Sequence, residues 1–303
     1  MKASLYRAAS AVILITVMMI FAEVFQDKAI IYPVAAALAI GCWVVDKHVW
    51  CVTRLQTVWL LTSASLCGIL LVRYSQMVPI ANIILAFWIA AILLYSTRTS
   101  LFPVIATCML PVMLNIDSWL FPLTVFCISA IIILVQKAME RIGWRHPVVH
   151  FTTDCHPTWK IHLWIIILIP VTLMSLIAVY FRWPYLILPP LIVCFCDMIF
   201  SQSGFRHRPL QTFLLLLAGA FLGTLGTLAY IYLGIPLWAA AACTFSLLLF
   251  VFHKTGKYLA PAGALSLIPF LLPFHTLTAY PLEVAAGSFM FISIAFFLNK
   301  RFQ

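Results

Sequence analysis

Residues 32–46 read YPVAAALAIGCWVVD, and residues 183–197 read WPYLILPPLIVCFCD. Each opens on an aromatic residue and a proline, runs through apolar residues, and reaches an aspartate at the same distance: Tyr32-Pro33 to Asp46, Trp183-Pro184 to Asp197. Further matches lie outward from this pair. Leu55-Gln56-Thr57 returns as Leu210-Gln211-Thr212, and Gly68 follows at the distance of Gly223. Pro79 matches Pro236; Thr97, Pro103 and Pro111 match Thr255, Pro261 and Pro269; Phe121-Pro122-Leu123 matches Tyr280-Pro281-Leu282. The offset grows only from 151 to 159, through small loop insertions. A self-similar series of this length reads as a tandem duplication, with a first unit over 1–140, a linker over 141–160 and a second unit over 161–303.

Composition says where such units reside. Of 303 residues, 65% are hydrophobic and 9% charged, whereas a soluble domain is about half apolar and about a quarter charged. Apolar runs long enough to cross a bilayer recur, and no connector exceeds roughly 25 residues, so no soluble domain is expected. Unpaired backbone is too costly in lipid, and the alternating pattern of a barrel is missing, so the runs are expected to be helices. The fold class is all-α: a polytopic transmembrane bundle of about twelve segments, as two parallel six-segment repeats. The segments cover 8–24, 29–45, 57–77, 79–96, 101–114 and 119–136, then 161–181, 184–200, 210–233, 236–252, 258–272 and 279–298. The first, behind Lys2 and Arg7, resembles a signal peptide; its internal counterpart argues for a retained helix.

Orientation follows from charge. With the N-terminus inside and every segment crossing, all 18 Lys and Arg except Lys28, Arg73 and Arg182 fall on the cytoplasmic side, as the positive-inside rule requires. Both termini are then cytoplasmic, and a bacterial inner membrane is the expected setting. The net charge of +10 is absorbed by these loops, and no basic run with interleaved aromatics suggests nucleic acid. Membrane lipids are the surroundings, and self-association is left open.

The fifth segments are short. About 15 residues at 1.5 Å each span roughly 22 Å, less than the ~30 Å hydrocarbon core. Each holds two prolines eight apart, Pro103/Pro111 and Pro261/Pro269, and the second adds Gly263 within Pro261-Ala262-Gly263-Ala264. Paired short, interrupted segments point to a transport site, although prolines also merely kink membrane helices. Asp46 and Asp197, each closing a second segment, suit a cation or proton site or a simple answer to nearby Lys47 and Arg206. Glu23 and Glu283 have no counterparts in the other unit. Gln56, Gln211 and Thr212 open the third helices and offer hydrogen bonds to a polar solute or another helix. Gly219, Gly223 and Gly226 read first as close helix packing. Arg98, Lys254 and Lys257 form a basic cytoplasmic mouth.

Other chemistry finds little support. In the linker, His146, His150 and Asp154 fall four apart, near Cys155, His156 and His162, but Pro147 and Pro157 break the helix a zinc site would need; an interfacial connector is the plainer reading, and no metal or cofactor is expected. Nine scattered cysteines give no disulfide framework and no zinc spacing, so packing explains them. No catalytic motif appears.

The stretch Pro236-Leu237-Trp238, with the alanines after it, through Phe252-His253-Lys254-Thr255-Gly256 to Leu259-Ala260-Pro261-Ala262-Gly263-Ala264 resembles the HPP family of integral membrane proteins. Its signature His-Pro-Pro continues into Ala-Gly-Ala; here Leu259 and Ala260 hold the first two positions and Pro261 the third. Tyr280-Pro281-Leu282, Gly287-Ser288 and Leu298-Asn299 are similar to that family's last helix. The helix order also resembles the membrane half of fusaric-acid-resistance and aromatic-acid exporters, without their soluble domains. Both resemblances imply a small anion; some HPP members are linked to nitrite transport. The expectation is therefore a permease for a small anionic solute with its site between the repeats. A non-transporting membrane scaffold or assembly factor is the alternative, and a membrane-embedded enzyme comes third.

Overall fold

A computed structural model describes residues 2–46, 49–146, 161–200, 205 and 208–301. Over these residues the chain is all-helical: α1 (Lys2–Phe25), α2 (Val34–Ala39), α3 (Arg54–Tyr74), α4 (Pro79–Thr97), α5 (Pro103–Leu114), α6 (Leu120–Ile142), α7 (Ile161–Phe181), α8 (Pro189–Phe200), α9 (Pro209–Leu233), α10 (Leu237–Thr255), α11 (Ala260–Leu267) and α12 (Tyr280–Arg301). Among the described residues, eight of these (α1, α3, α4, α6, α7, α9, α10 and α12) are long and apolar enough to cross a membrane. The molecule is a multi-pass membrane protein.

Local chemistry sets the boundaries. Thr53 and Gln56 cap each other at the start of α3, satisfying two orphan donors. Proline stands in the first turn of α4, α5, α9 and α11, where its missing N–H costs nothing. Gly143, Gly234 and Gly256 end α6, α9 and α10 in the left-handed region, where a residue without Cβ is unstrained.

The second segments are interrupted, which the sequence reading did not anticipate, whereas of the fifth segments α5 runs unbroken past Pro111 and only α11 gives way, to a 3-10 turn over Ile268–Leu271. In the first unit α2 lasts six residues and passes into a π-helical turn, Ile40–Val44, closed by Val45 N–H donating to Ile40 O at 2.9 Å. The indole of Trp50 lies on Gly41, leaving no room there for a Cβ. In the second unit a 3-10 turn, Pro184–Ile187, precedes α8, because Pro189 and Pro190 cannot extend a helix that starts before them. Asp197 accordingly lies inside the last turn of α8, not beyond a helix end.

The four short helices pack together: α2 against α5 and α11, α8 against α5 and α11. Long helices surround them, with α1 on α10, α4 on α7, α3 on α5 and α6, and α9 on α11 and α12. Burial follows this order. Every residue of Val34–Ala39, Pro103–Pro111 and Ala260–Leu267 is buried, whereas α7 turns Ile165, Ile169, Leu173 and Leu176 outward, each more than half exposed. Such an apolar outer stripe is stable only where lipid is the solvent. The expectation that cysteines only pack is corrected at one place: Cys51 is disulfide-bonded, while Cys42, Cys67, Cys108, Cys127, Cys194, Cys196 and Cys243 are free.

Candidate functional site

Two places in the bundle gather polar groups: the centre, where the short helices meet, and the end that carries the start of α1 and the end of α6.

At the centre, Pro103 and Pro261 open α5 and α11 and are buried. Gly263 faces α2: a Cβ there would stand 2.5 Å from Ile40 Cδ1 and 3.4 Å from the Ala36 carbonyl. The two α helices thus touch across the units through a backbone surface. A tyrosine hydroxyl anchors each fifth segment. Tyr32 Oη is 2.6 Å from Thr107 Oγ1, and Thr107 donates to Pro103 O at 2.9 Å. Since threonine has one hydroxyl proton, Tyr32 is the donor to Thr107. Tyr280 Oη donates to the Leu265 carbonyl at 2.8 Å.

These anchors differ in what their removal leaves. Tyr280→Phe strands a buried carbonyl near the end of α11 and is expected to cost about 1–2 kcal/mol, whereas Tyr32→Phe leaves Thr107 still bonded to Pro103 and is expected to cost about 0.5 kcal/mol. Thermal unfolding of the two variants in detergent checks this; equal losses would refute the assignment of donors.

At the other centre of polarity, Arg7 of α1 is buried, and its Nη1 lies 2.5 Å from Oδ1 of exposed Asp46. Arg54 bonds Glu140 near the end of α6, and Gln136 Nε2 donates to the same carboxylate at 3.0 Å. Arg145, just past α6, is also buried. Burial draws its guanidinium below the ordinary arginine range, and the like charge of Arg7 adds to the fall. Tyr258, which leads into α11, has its phenol pushed up by burial and by Asp46. Tyr6 stacks on Trp144 at 4.8 Å, tying α1 to the segment after α6.

The other expected site residues are dispersed. Gln56 is engaged in the cap of α3, Gln211 is exposed with its Oε1 3.4 Å from Arg208 Nη1, and buried Thr212 donates to Arg208 O at 3.1 Å. Each is satisfied by its own turn, so a solute role is not what positions it. Arg98 caps α4 at φ 56°, exposed. Lys254 is exposed above the Phe250 ring at 5.5 Å, and Lys257 is half-buried; the three are surface residues, away from the buried centre. Asp197 is half-buried in α8. Glu23 accepts from Leu237 N–H at 3.3 Å and Glu283 from Tyr185 N–H at 2.8 Å, so both serve backbone donors at helix starts. His150, Asp154, Cys155 and His156 lie outside the described residues, while His146 and His162 are exposed. Among the described residues no three His, Cys, Asp or Glu side chains form a metal-binding group.

Sequence reasoning took Arg7 and Arg145 only as orienting charges. No local signal sets them apart: each follows an aromatic, Tyr6 and Trp144, but so do Arg182 and Arg206. No protein-family model, characterised protein or solved structure matches the chain.

Proposed function

We propose that this protein is a membrane permease for a small anionic solute, built from two parallel six-segment repeats with both termini cytoplasmic. The carrying observation is the reciprocal packing of the broken helices. α2 of the first unit lies on α11 of the second, and α8 of the second lies on α5 of the first; α1 on α10 answers α7 on α4 in the same way. The glycines agree: a Cβ at Gly68 would meet Cys108 O at 2.5 Å and Pro111 Cγ at 2.6 Å, and one at Gly223 would meet Ser266 O at 2.5 Å and Pro269 Cγ at 3.0 Å. These are matching positions of the two repeats. A pseudo-two-fold axis along the membrane normal, with interrupted helices on it, is the arrangement in which transporters place their solute. An anion is favoured by the resemblance of residues 236–264 to the HPP family.

The centre is closed around Gly263 and Ile40, so passage requires α2 and α11 to part. Gly263→Ala adds one methyl against the flexible end of Ile40 and overpacks the closed contact. Overpacking of this size costs the closed state about 1–3 kcal/mol, so α2 and α11 part more readily and uptake of a labelled anion (nitrite or an aromatic carboxylate) into proteoliposomes is expected to rise about 10-fold. Ile40→Val removes Cδ1, and the double variant should return uptake toward wild type. Absence of flux through folded wild-type protein, for every anion tried with and without a pH gradient, would refute the permease.

The alternative, a membrane scaffold, is favoured by one observation: the short helices at the centre are buried along their length and lined mostly by Ala, Ile, Leu and Val.

A further inference from the structure

We propose that Glu283 is a proton-binding residue that carries a proton with the solute, acting through the turn of α12 that holds both interrupted segments of the second unit. This role presupposes permease activity and adds the coupling ion to it.

The start of α12 is a junction. Tyr280, Glu283 and Gly287 follow one another at three and four residues, so they share one face of the helix. Tyr280 bonds the fifth segment. Pro269 has no N–H for the Leu265 carbonyl four residues before it, and Tyr280 Oη donates there instead, at 2.8 Å. Glu283 bonds the second segment: its Oε2 accepts the N–H of Tyr185 at 2.8 Å, inside the 3-10 turn Pro184–Ile187 that precedes α8. Gly287 lets that turn close on the helix, since a Cβ there would overlap the Leu186 carbonyl. The Tyr185 and Tyr280 rings meet edge to face at 5.6 Å and join the two contacts. Thr124 holds the matching position of the first unit, so the carboxylate belongs to the second unit alone.

That carboxylate has no counterion. Glu283 is 6% exposed and lies within a helix long and apolar enough to cross the membrane. Among the described residues no ion pair reaches it, whereas Asp46 and Glu140 are paired with Arg7 and Arg54. The neighbouring elements bring no positive charge to it. The 3-10 turn contributes the Tyr185 phenol, and α9 carries only Tyr230 and Tyr232 as titratable groups, both exposed. In α8, Cys194, Cys196 and Asp197 lie toward the far end, where Asn299 of α12 bonds the Met198 carbonyl at 3.0 Å; Lys300 and Arg301 close α12 at that same end. Arg182 and His275, in the flanking turns, are exposed.

A buried charge without a partner is costly, and a proton on the carboxylate removes that cost. A metal ion would need several oxygen ligands, and no metal-binding group exists among the described residues. Acidic residues inside membrane helices serve as proton relays. Protonation acts on the junction directly, because the charge-assisted bond from Tyr185 N–H becomes a neutral one, about half as strong. The second segment is then freer to move against α12. The proton comes from water on one side, adds to a carboxylate oxygen, and returns to water on the other; no other bond forms or breaks. Carried with a monoanion, it leaves the step without net charge movement.

Two measurements test this, and one needs no transport. Dicyclohexylcarbodiimide, an apolar reagent that adds to protonated carboxyl groups, is expected to label Glu283 of folded wild type, faster in acid than in alkaline buffer, as identified by mass spectrometry of the peptide. Uptake of labelled nitrite or an aromatic carboxylate into proteoliposomes, above that of protein-free vesicles, is compared with acid outside and at equal pH. A tightly coupled proton supports about tenfold accumulation per pH unit, and Glu283→Gln is expected to abolish this response. The glutamine amide oxygen still accepts from Tyr185 N–H, so a purely structural Glu283 would leave the response as in wild type. Glu23→Gln, which also removes a carboxylate holding a backbone N–H, should keep it. If Glu283→Gln does not fold, wild type treated with the carbodiimide takes its place. Failure of the reagent to label Glu283, uptake by wild type that ignores the gradient, or a full response in Glu283→Gln overturns the proposal and leaves the permease standing. Absence of any flux through folded wild type overturns both.

Discussion

Gly219→Val is expected to lower the stability of the folded bundle by about 2–3 kcal/mol, read as a lower unfolding temperature in detergent. The reason lies in what α9 touches. A Cβ on Gly219 would land on the backbone of Ala262, overlapping its carbonyl oxygen and coming within 3.1 Å of its carbonyl carbon and 3.3 Å of Cα. One turn on, Gly223 makes the same approach to Ser266, with O at 2.5 Å and C at 2.9 Å. These neighbours are main chain, so no side-chain rotation makes room and the helices must separate. In lipid, helix association depends on such close van der Waals contact, because burial of apolar surface gives little advantage over lipid tails. Overpacking a tight site typically costs about 1–3 kcal/mol, and a β-branched residue stands at the upper end. Gly219→Ala should cost less, since alanine regains about 1 kcal/mol of helix propensity. Leu214→Val, on an outward, exposed face of the same helix, should change little. Gly219→Val unfolding within a degree of wild type would refute the idea that the α9–α11 contact holds α11 in place.

The contrast between these glycines and the charged residues shows what a sequence can and cannot reveal. The long apolar runs define helices without reference to any neighbour, because lipid allows little else. The glycine and proline positions are likewise legible, since the internal matches display several of them twice. The breaks in the second segments were harder to see. Residues 34–45 read as continuous apolar sequence, and what accompanies the π turn at Ile40–Val44 is Trp50, from a later loop, occupying the space over Gly41. The polar cluster was hidden for the same reason. Arg54 and Glu140 stand 86 residues apart, and nothing local in either marks the other as its partner. Gln56, Gln211 and Thr212 are a different case: they recur at matched positions, what recurs is a helix start, and the hydrogen bonds they make lie within their own turn. Recurrence along the sequence thus identifies structural necessity first, and only distances separate from it the residues that meet from distant parts of the chain.

Arg54→Met is the second substitution with a large expected effect, because of what it leaves behind. Glu140 is 6% exposed, and its carboxylate is held by Arg54 and by Gln136 Nε2 at 3.0 Å. Removing one partner from a buried ion pair generally costs about 3–5 kcal/mol, since the remaining charge is left uncompensated. Arg54 is itself 38% exposed at the side chain, so water already screens the pair and about 2 kcal/mol is the better figure. Glu140→Gln in the same background removes the stranded charge while keeping the shape and the bond from Gln136. The double variant Arg54→Met/Glu140→Gln is therefore expected to be more stable than Arg54→Met alone by about 1 kcal/mol or more, a sign that independent contributions cannot produce. Unfolding temperatures of the four proteins decide it. Losses that simply add would mean that Glu140 is solvated by something other than Arg54.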